Sequence, residues 1–393
     1  MRPSSTLQSL GKALSSLKLT IACLAALMVL VVACTLAQVD LGTFGAVEVF
    51  MRSLLVYWQI PGSVWAIPVF PGGALVGLVL MANLLASLAV RLERSWKKAG
   101  LWVVHLGLVL FVAGEFVTSF FQVESQLAIE QGQTLNYIEG RDQELVVVDV
   151  TDPRMDDVYA VPERALARGG SVAVPGTPLV LQVKGFWRNA ALRNRGPADP
   201  PTPADRGVGA QVAVTPLAPV SNDNDVNQPA AFVEPVAGGK SYGTWLVSQG
   251  LGSPQSFTHE GRTYQLLMRH RRQYLPYSVT LKKFSHDRYA GTDIPKNFSS
   301  LVHLNNPGTG ESRDVLIYMN QPLRYDGKAF YQASFGKGDT LSILQVVENP
   351  GWLIPYVSCV LVALGLIFHF AISLRRSARR REAAQQAPSA QEA

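Results

Sequence analysis

Four stretches of the chain are almost wholly apolar: Leu19 to Ala37, Ile67 to Val90, Leu101 to Phe121 and Trp352 to Leu374. Each approaches the roughly 20 residues that cross about 30 Å of hydrocarbon as a helix. The pattern predicts four transmembrane helices, three before a long central segment and one after it. In that segment the period changes. Glu144 to Val150, Leu179 to Phe186, Tyr264 to Met268, Tyr277 to Phe284, Val315 to Tyr318, Ala329 to Phe335 and Leu341 to Val347 are short runs rich in β-branched and aromatic residues, separated by Gly, Pro, Asn or Asp. Such runs read as strands. Tyr277, Val279 and Leu281 alternate with Ser278, Thr280 and Lys282, so one face should be apolar and the other polar. Residues 122–350 are therefore expected to form a β-rich domain, an antiparallel sandwich or irregular barrel. Gly196 to Asp205 and Leu217 to Gly239 are rich in Pro, Asn, Asp and Ala without periodicity and read as long loops.

Composition agrees with a membrane protein. The 393 residues are 48% hydrophobic and 16% charged, against about a quarter charged in soluble domains. The net charge of +6 does not point to nucleic acid, because between Gln122 and Pro350 there are 22 Lys and Arg against 23 Asp and Glu. The basic excess lies beside the spans: Arg91, Arg94, Lys97 and Lys98 in the second link, and Arg375, Arg376, Arg379, Arg380 and Arg381 after the fourth block. Short basic links stay cytoplasmic. The expected layout is a cytoplasmic N-terminus (1–18), spans near 19–37, 67–90 and 101–121, an extracytoplasmic domain (122–350), a span at 351–374 and a basic cytoplasmic tail (375–393), in an inner or plasma membrane. Val39 to Ala66, with Arg52 as its one basic residue, is expected outside.

The first block has two readings. Arg2, Lys12 and Lys18 precede an apolar run ending in Val31-Val32-Ala33-Cys34, which fits a lipoprotein cleavage site as well as a retained helix. Retention is preferred because the run continues to Ala37. Cys23, Cys34 and Cys359 all fall inside spans, and the central domain has no cysteine, so it holds no internal disulfide. There is no C-x-x-C for thiol exchange and no C-x-x-C-H for covalent haem. His259, His270, His286 and His303 are scattered among strands, without H-E-x-x-H or G-x-S-x-G. No catalytic residue is assigned, and the domain reads as a binding surface.

The membrane histidines carry more information. His105 lies four residues into the third block and His369 five residues before the end of the fourth. Both should sit about 6–8 Å inside the cytoplasmic boundary, at a common depth. Ionisable or ligating groups in hydrocarbon are costly and mark function by default, although His369 taken alone fits snorkelling or a helix–helix bond. Glu115, near the outer end of the third block, is a further candidate, about 80° around the helix from His105.

Several blocks resemble one family, the ResB-type (CcsB-type) cytochrome c biogenesis proteins. Ser16-Leu17-Lys18-Leu19 and Thr35-Leu36-Ala37-Gln38 frame the first span, and His105-Leu106-Gly107 starts the third. In the domain, Pro295-Lys296-Asn297-Phe298-Ser299-Ser300, Asn320-Gln321-Pro322-Leu323-Arg324-Tyr325 and Phe330-Tyr331-Gln332-Ala333-Ser334 follow in order, and Asn349-Pro350-Gly351 leads into the last span. The resemblance implies a subunit of a system II haem-attaching complex, acting with a CcsA/ResC-type membrane partner that carries a Trp-rich haem motif. The seven Trp residues here are dispersed, so this chain should not be a synthetase alone. In the family picture a membrane histidine on each subunit holds b-type haem in transit from the cytoplasmic side to an exported apocytochrome c. His105 matches that ligand by position, and Lys98, two turns earlier, could pair with a propionate, although positive-inside anchoring explains it equally well. From a different class, a membrane-anchored scaffold or sensor with no haem role fits the same composition; an intramembrane histidine is what such an anchor does not need.

Overall fold

The computed structural model describes residues 5–386 except 61–62, 64, 221–226, 289–290, 292–294, 337 and 339. Contacts divide the chain into a helical unit, built from the residues up to Gln122 and from Asn349 onward, and a β unit between Val123 and Glu348.

In the helical unit, among the described residues, four helices are long and apolar enough to cross a membrane: Leu17–Met51, Gly73–Arg91, Trp96–Phe121 and Ile354–Glu382. The protein is a multi-pass membrane protein. Two sequence expectations change here. The first helix does not stop near Ala37; it continues past Asp40, breaks at Gly42, where φ is 67°, and resumes as a π-turn over Val47–Met51. The apolar run that begins at Ile67 is strand for its first residues. Leu55–Gln59 and Ala66–Pro71 pair as an antiparallel hairpin, and the second span begins only at Gly73. A run of apolar residues does not itself choose between strand and helix; Pro68 and Pro71 lack the N–H a helix interior requires.

An additional short helix, Ser5–Leu14, precedes the first span. Asn83, in the second span and 1% exposed, donates to Leu14 O (2.5 Å), a carbonyl left over at that helix's C-terminal end, and to Ser16 O (3.1 Å), the N-cap carbonyl of the first span, and accepts from Thr20 Oγ1 (2.7 Å).

The third and fourth spans meet along glycines. Gly100, Gly107 and Gly114 are all buried on the third span. Their spacing of seven keeps them on one face. A Cβ on Gly100 would lie 2.5 Å from His369 N and 2.6 Å from Gly365 O; on Gly107, 2.8 Å from Val362 Cγ2; on Gly114, 2.6 Å from Ile354 Cγ2. Small residues at such spacing let helix backbones approach where lipid supplies no hydrophobic drive. Asn349 joins the same two helices at the other end, donating to Thr118 Oγ1 (3.2 Å) and Gln122 Oε1 (3.3 Å) while its own Oδ1 accepts from Gly351 N (2.8 Å). The basic tail is not a separate segment as far as Gln386: the fourth helix runs Ile354–Gln386 through all five arginines.

The strand pairs of the β unit are antiparallel among the described residues, and one isolated bridge, Arg206 with Trp245, is parallel. Its larger sheet runs in the order Glu311–Tyr318, Pro295–Asn306, Arg262–Arg288, Thr134–Asp152, Val123–Glu130, Leu341–Glu348, Lys328–Gly336 and Leu323–Tyr325, with Gln255–His259 and Met155–Pro162 added at branches. A five-stranded sheet, Lys240–Ser241, Ala230–Ala237, Val180–Trp187 and Gly170–Ala173 with Trp245–Ser248, packs on one part of it. Six of the seven strand runs read from the sequence lie inside these strands, the seventh starting one residue early at Leu179, but two of the strands are far longer than expected. Thr134–Asp152 and Arg262–Arg288 pass through two separate cores. Leu145, Val147, Tyr264 and Leu266 pack with Leu181 and Val233 of the smaller sheet, a sandwich. Ile138, Tyr277, Val279 and Leu281 pack with Val302, Phe330, Leu344 and Val346 inside a sheet that rolls without closing. Their pairing slips between Tyr274 and Val279, where Pro276 cannot donate to a ladder. The predicted alternation holds, with Tyr277, Val279 and Leu281 at 1%, 1% and 0% exposure.

The expected loop from Leu217 to Gly239 is corrected over its second half. Ala230–Ala237 is a buried strand paired on both sides, with Val180–Trp187 and Trp245–Ser248. Alanine and Pro235 conceal it, since both are poor strand formers. Residues 221–226 of that stretch lie outside the described residues.

Candidate functional site

His105 sits half-buried in the third span. At about 100° per residue it lies about 140° around the helix from Gly100 and about 160° from Gly107, so it occupies the face turned away from the fourth span. Phe116, three turns on and on the same side, lies 3.3 Å from where a Cβ on Gly77 of the second span would be. Within His105-Leu106-Gly107 the two ends of the motif therefore do different jobs: Gly107 makes the helix contact and His105 points elsewhere.

The ring's hydrogen bond defines its chemistry. His105 Nδ1 is 2.9 Å from Leu101 O. A carbonyl only accepts, so Nδ1 carries the hydrogen and, in the neutral ring, Nε2 keeps its lone pair. That is the tautomer of a metal-ligating imidazole whose other nitrogen is oriented by a backbone carbonyl.

His369 is placed differently. Its backbone is packed against Gly100, five residues and about 7.5 Å nearer the start of the third span than His105. The expected common depth is thus corrected; close glycine packing, not distance from the apolar boundary, sets the register. His369 Nδ1 is buried without a hydrogen-bond partner among the described residues, and the side chain is half-buried beside Phe370. The structure brings His105 and His369 onto different faces. Lys98 caps the third helix and pairs with Glu93 (2.9 Å), whose backbone carbonyl also accepts from Trp102 Nε1 (3.2 Å). The Lys98 ammonium holds the Glu93 carboxyl below the usual carboxylate range. Lys98 already has an anionic partner, so its charge is shared, not idle. Glu115 is exposed, one residue past Gly114.

In the β unit the resembling blocks converge. Ser300 Oγ donates to Gln332 Oε1 (2.6 Å) and shares a hydrogen bond with Ser342 Oγ (2.7 Å), with both serines fully buried. Asn306 Nδ2 donates to Tyr325 OH (2.9 Å), and Tyr325 meets Tyr277 edge to face at 4.9 Å. Asn320 takes φ 64° in the turn before Gln321. These residues tie strands across the rolled sheet, so they secure its shape. The domain histidines differ more than expected. His259 is buried, with its Nδ1 2.5 Å from Tyr242 OH. His303 bridges Asp314 (2.7 Å) and Ser312 (3.1 Å). This resembles a nucleophile relay, yet Ser312 and Asp314 stand on an open sheet face and Lys282 takes the second oxygen of Asp314 at 2.8 Å, so it acts as a surface ion pair.

Residues 230–343 match the sequence model of the ResB-like family. The stretch begins at the buried strand Ala230–Ala237 and contains the three converging domain blocks; His105 and His369 lie outside it. Protein NrfI of Wolinella succinogenes is 34% identical over 95 residues, which cover 24% of this chain and 10% of that protein. The chain therefore matches about a tenth of the length of this relative.

Sequence reasoning missed Asn83 and the Ser300–Gln332–Ser342 network. A lone Asn inside an apolar block is a readable signal, because an unsatisfied amide in hydrocarbon is expensive. The network was not readable, since it joins residues far apart in the chain.

Proposed function

We propose that this chain is the ResB-type membrane subunit of a system II cytochrome c maturation complex. In this role it receives haem on the cytoplasmic side and, with a CcsA/ResC-type partner, passes it outward to apocytochrome c. The β domain is extracytoplasmic, with the basic link Arg91–Lys98 and the arginines of the fourth helix held inside. The observation that carries the haem role is His105: a membrane imidazole with Nδ1–H fixed on Leu101 O and Nε2 left as a donor to iron. It lies on the face away from the fourth span, so a second subunit, not His369, would supply the other axial ligand. Haem, when bound, supplies the iron that Nε2 would ligate. The ResB-like match supports the cytochrome c biogenesis role, and the converging domain blocks give that match a folded basis. Co-expression with the neighbouring biogenesis genes and removal of this one should abolish covalent haem staining of exported cytochromes c. Full assembly without it would reject the role and favour a scaffold or sensor.

A further inference from the structure

We propose that the hairpin of Leu55–Gln59 and Ala66–Pro71 lies in the interfacial layer of the bilayer, at the end of the first two spans opposite Arg91, with Trp58 and Trp65 among the lipid headgroups. Connectivity places it there. It leaves the first span at Met51 and returns to the second at Gly73, and its base is locked: Gly72 N donates to Leu54 O (2.9 Å), and a Cβ on Gly73 would lie 2.6 Å from Met51 O. The hairpin cannot pivot far from the membrane surface.

Its composition excludes water as its main surrounding. From Ser53 to Val90 the chain holds no Asp, Glu, Lys, Arg or His. Trp58, Trp65, Tyr57 and Val69 are 55%, 73%, 54% and 54% exposed, while Val56 is buried. An isolated two-stranded sheet is marginal in water even with a packed face. Its backbone excludes the hydrocarbon centre equally. The sheet has two strands, so each outer edge presents unpaired N–H and C=O groups that lipid tails cannot satisfy. The interface is the environment that meets both demands: indole and phenol rings seat there with one end apolar and one end wet, and headgroups and water reach the strand edges. Leu36 and Val39 of the first span are likewise 70% and 84% exposed. The hairpin would fix the depth of the first two spans as an aromatic anchor.

The test uses the full-length protein in phosphatidylcholine–phosphatidylglycerol vesicles, reading the emission lost in Trp58→Phe and Trp65→Phe variants, singly and together. With lipids brominated near the headgroup end of the chains, that component should fall by roughly half, and with lipids brominated near the chain terminus by clearly less. Aqueous iodide should quench it several-fold less than free indole. Iodide quenching equal to free indole would put the hairpin in water, stronger quenching by the deep bromines would put it in the hydrocarbon, and protection from both would mean that protein covers it. Each of these would overturn the proposal. Haem content of the same variants reports separately on the function proposed above.

Discussion

Where the second span meets the first, an apolar cluster around Leu30 and Val76 is joined by one side-chain amide. Asn83 bonds the last carbonyl of the N-terminal helix, the N-cap carbonyl of the first span and the hydroxyl of Thr20. Where the third span meets the fourth, backbones touch across Gly100, Gly107 and Gly365, and Gly114 admits the Ile354 side chain. The first junction depends on satisfying polar groups in an apolar medium, the second on leaving no room for a side chain. The third helix thus keeps its glycine face for the fourth span and carries His105 on another, along which Phe116 further on meets Gly77 of the second span.

Gly100→Val should have the largest effect. Its neighbours are backbone atoms that cannot move aside, so the helices must part; overpacking at its upper range is about 3 kcal/mol. Gly114→Ala should cost less, because what it meets is the Ile354 side chain. Unfolding temperatures of the detergent-solubilised variants measure the order, and equal losses would contradict a backbone-limited seam. Asn83→Leu comes next, at about 2 kcal/mol, since it leaves Leu14 O without its donor and Thr20 Oγ1 without its acceptor. It should also raise protease sensitivity near residue 15. Thr20→Val removes one bond and should cost about 0.6 kcal/mol, an average membrane hydrogen bond.

The smallest effect belongs to the β unit and inverts the Asn83 case. The Tyr277 hydroxyl is buried with no protein partner among the described residues, and burial, with Asp326, Tyr325 and Glu348 nearby, pushes the phenol far above its usual range. Tyr277→Phe should leave the unfolding temperature unchanged or slightly raised, because a buried polar group without a partner costs stability. A loss comparable to Asn83→Leu would show that the hydroxyl is satisfied after all.

The spans and the strand runs were legible because apolar length and alternation are local. The β-hairpin within the second apolar block was not, since Ile67 to Phe70 is as apolar as the helix it precedes. The strand Ala230–Ala237 was hidden by its alanines and Pro235, and only burial between two neighbours makes it a strand. At the site, His105 was visible as a ring in hydrocarbon, whereas the glycines at 100, 107 and 114 were passed over, because small apolar residues are ordinary within an apolar run. Their consequence was not legible either: which face His105 occupies, and how far His369 lies from it, depend on how two helices distant in sequence pack.

The central claim is that His105 Nε2 ligates haem iron. The direct measurement is the haem spectrum of the complex co-purified with its membrane partner, for His105→Ala and His369→Ala, with and without added imidazole. His105→Ala should lose the Soret band and cytochrome c assembly, and imidazole, filling the vacated coordination position, should restore part of both; His369→Ala should retain most of its haem. Full haem in His105→Ala together with its loss in His369→Ala would place the ligand on the fourth span and contradict the assignment.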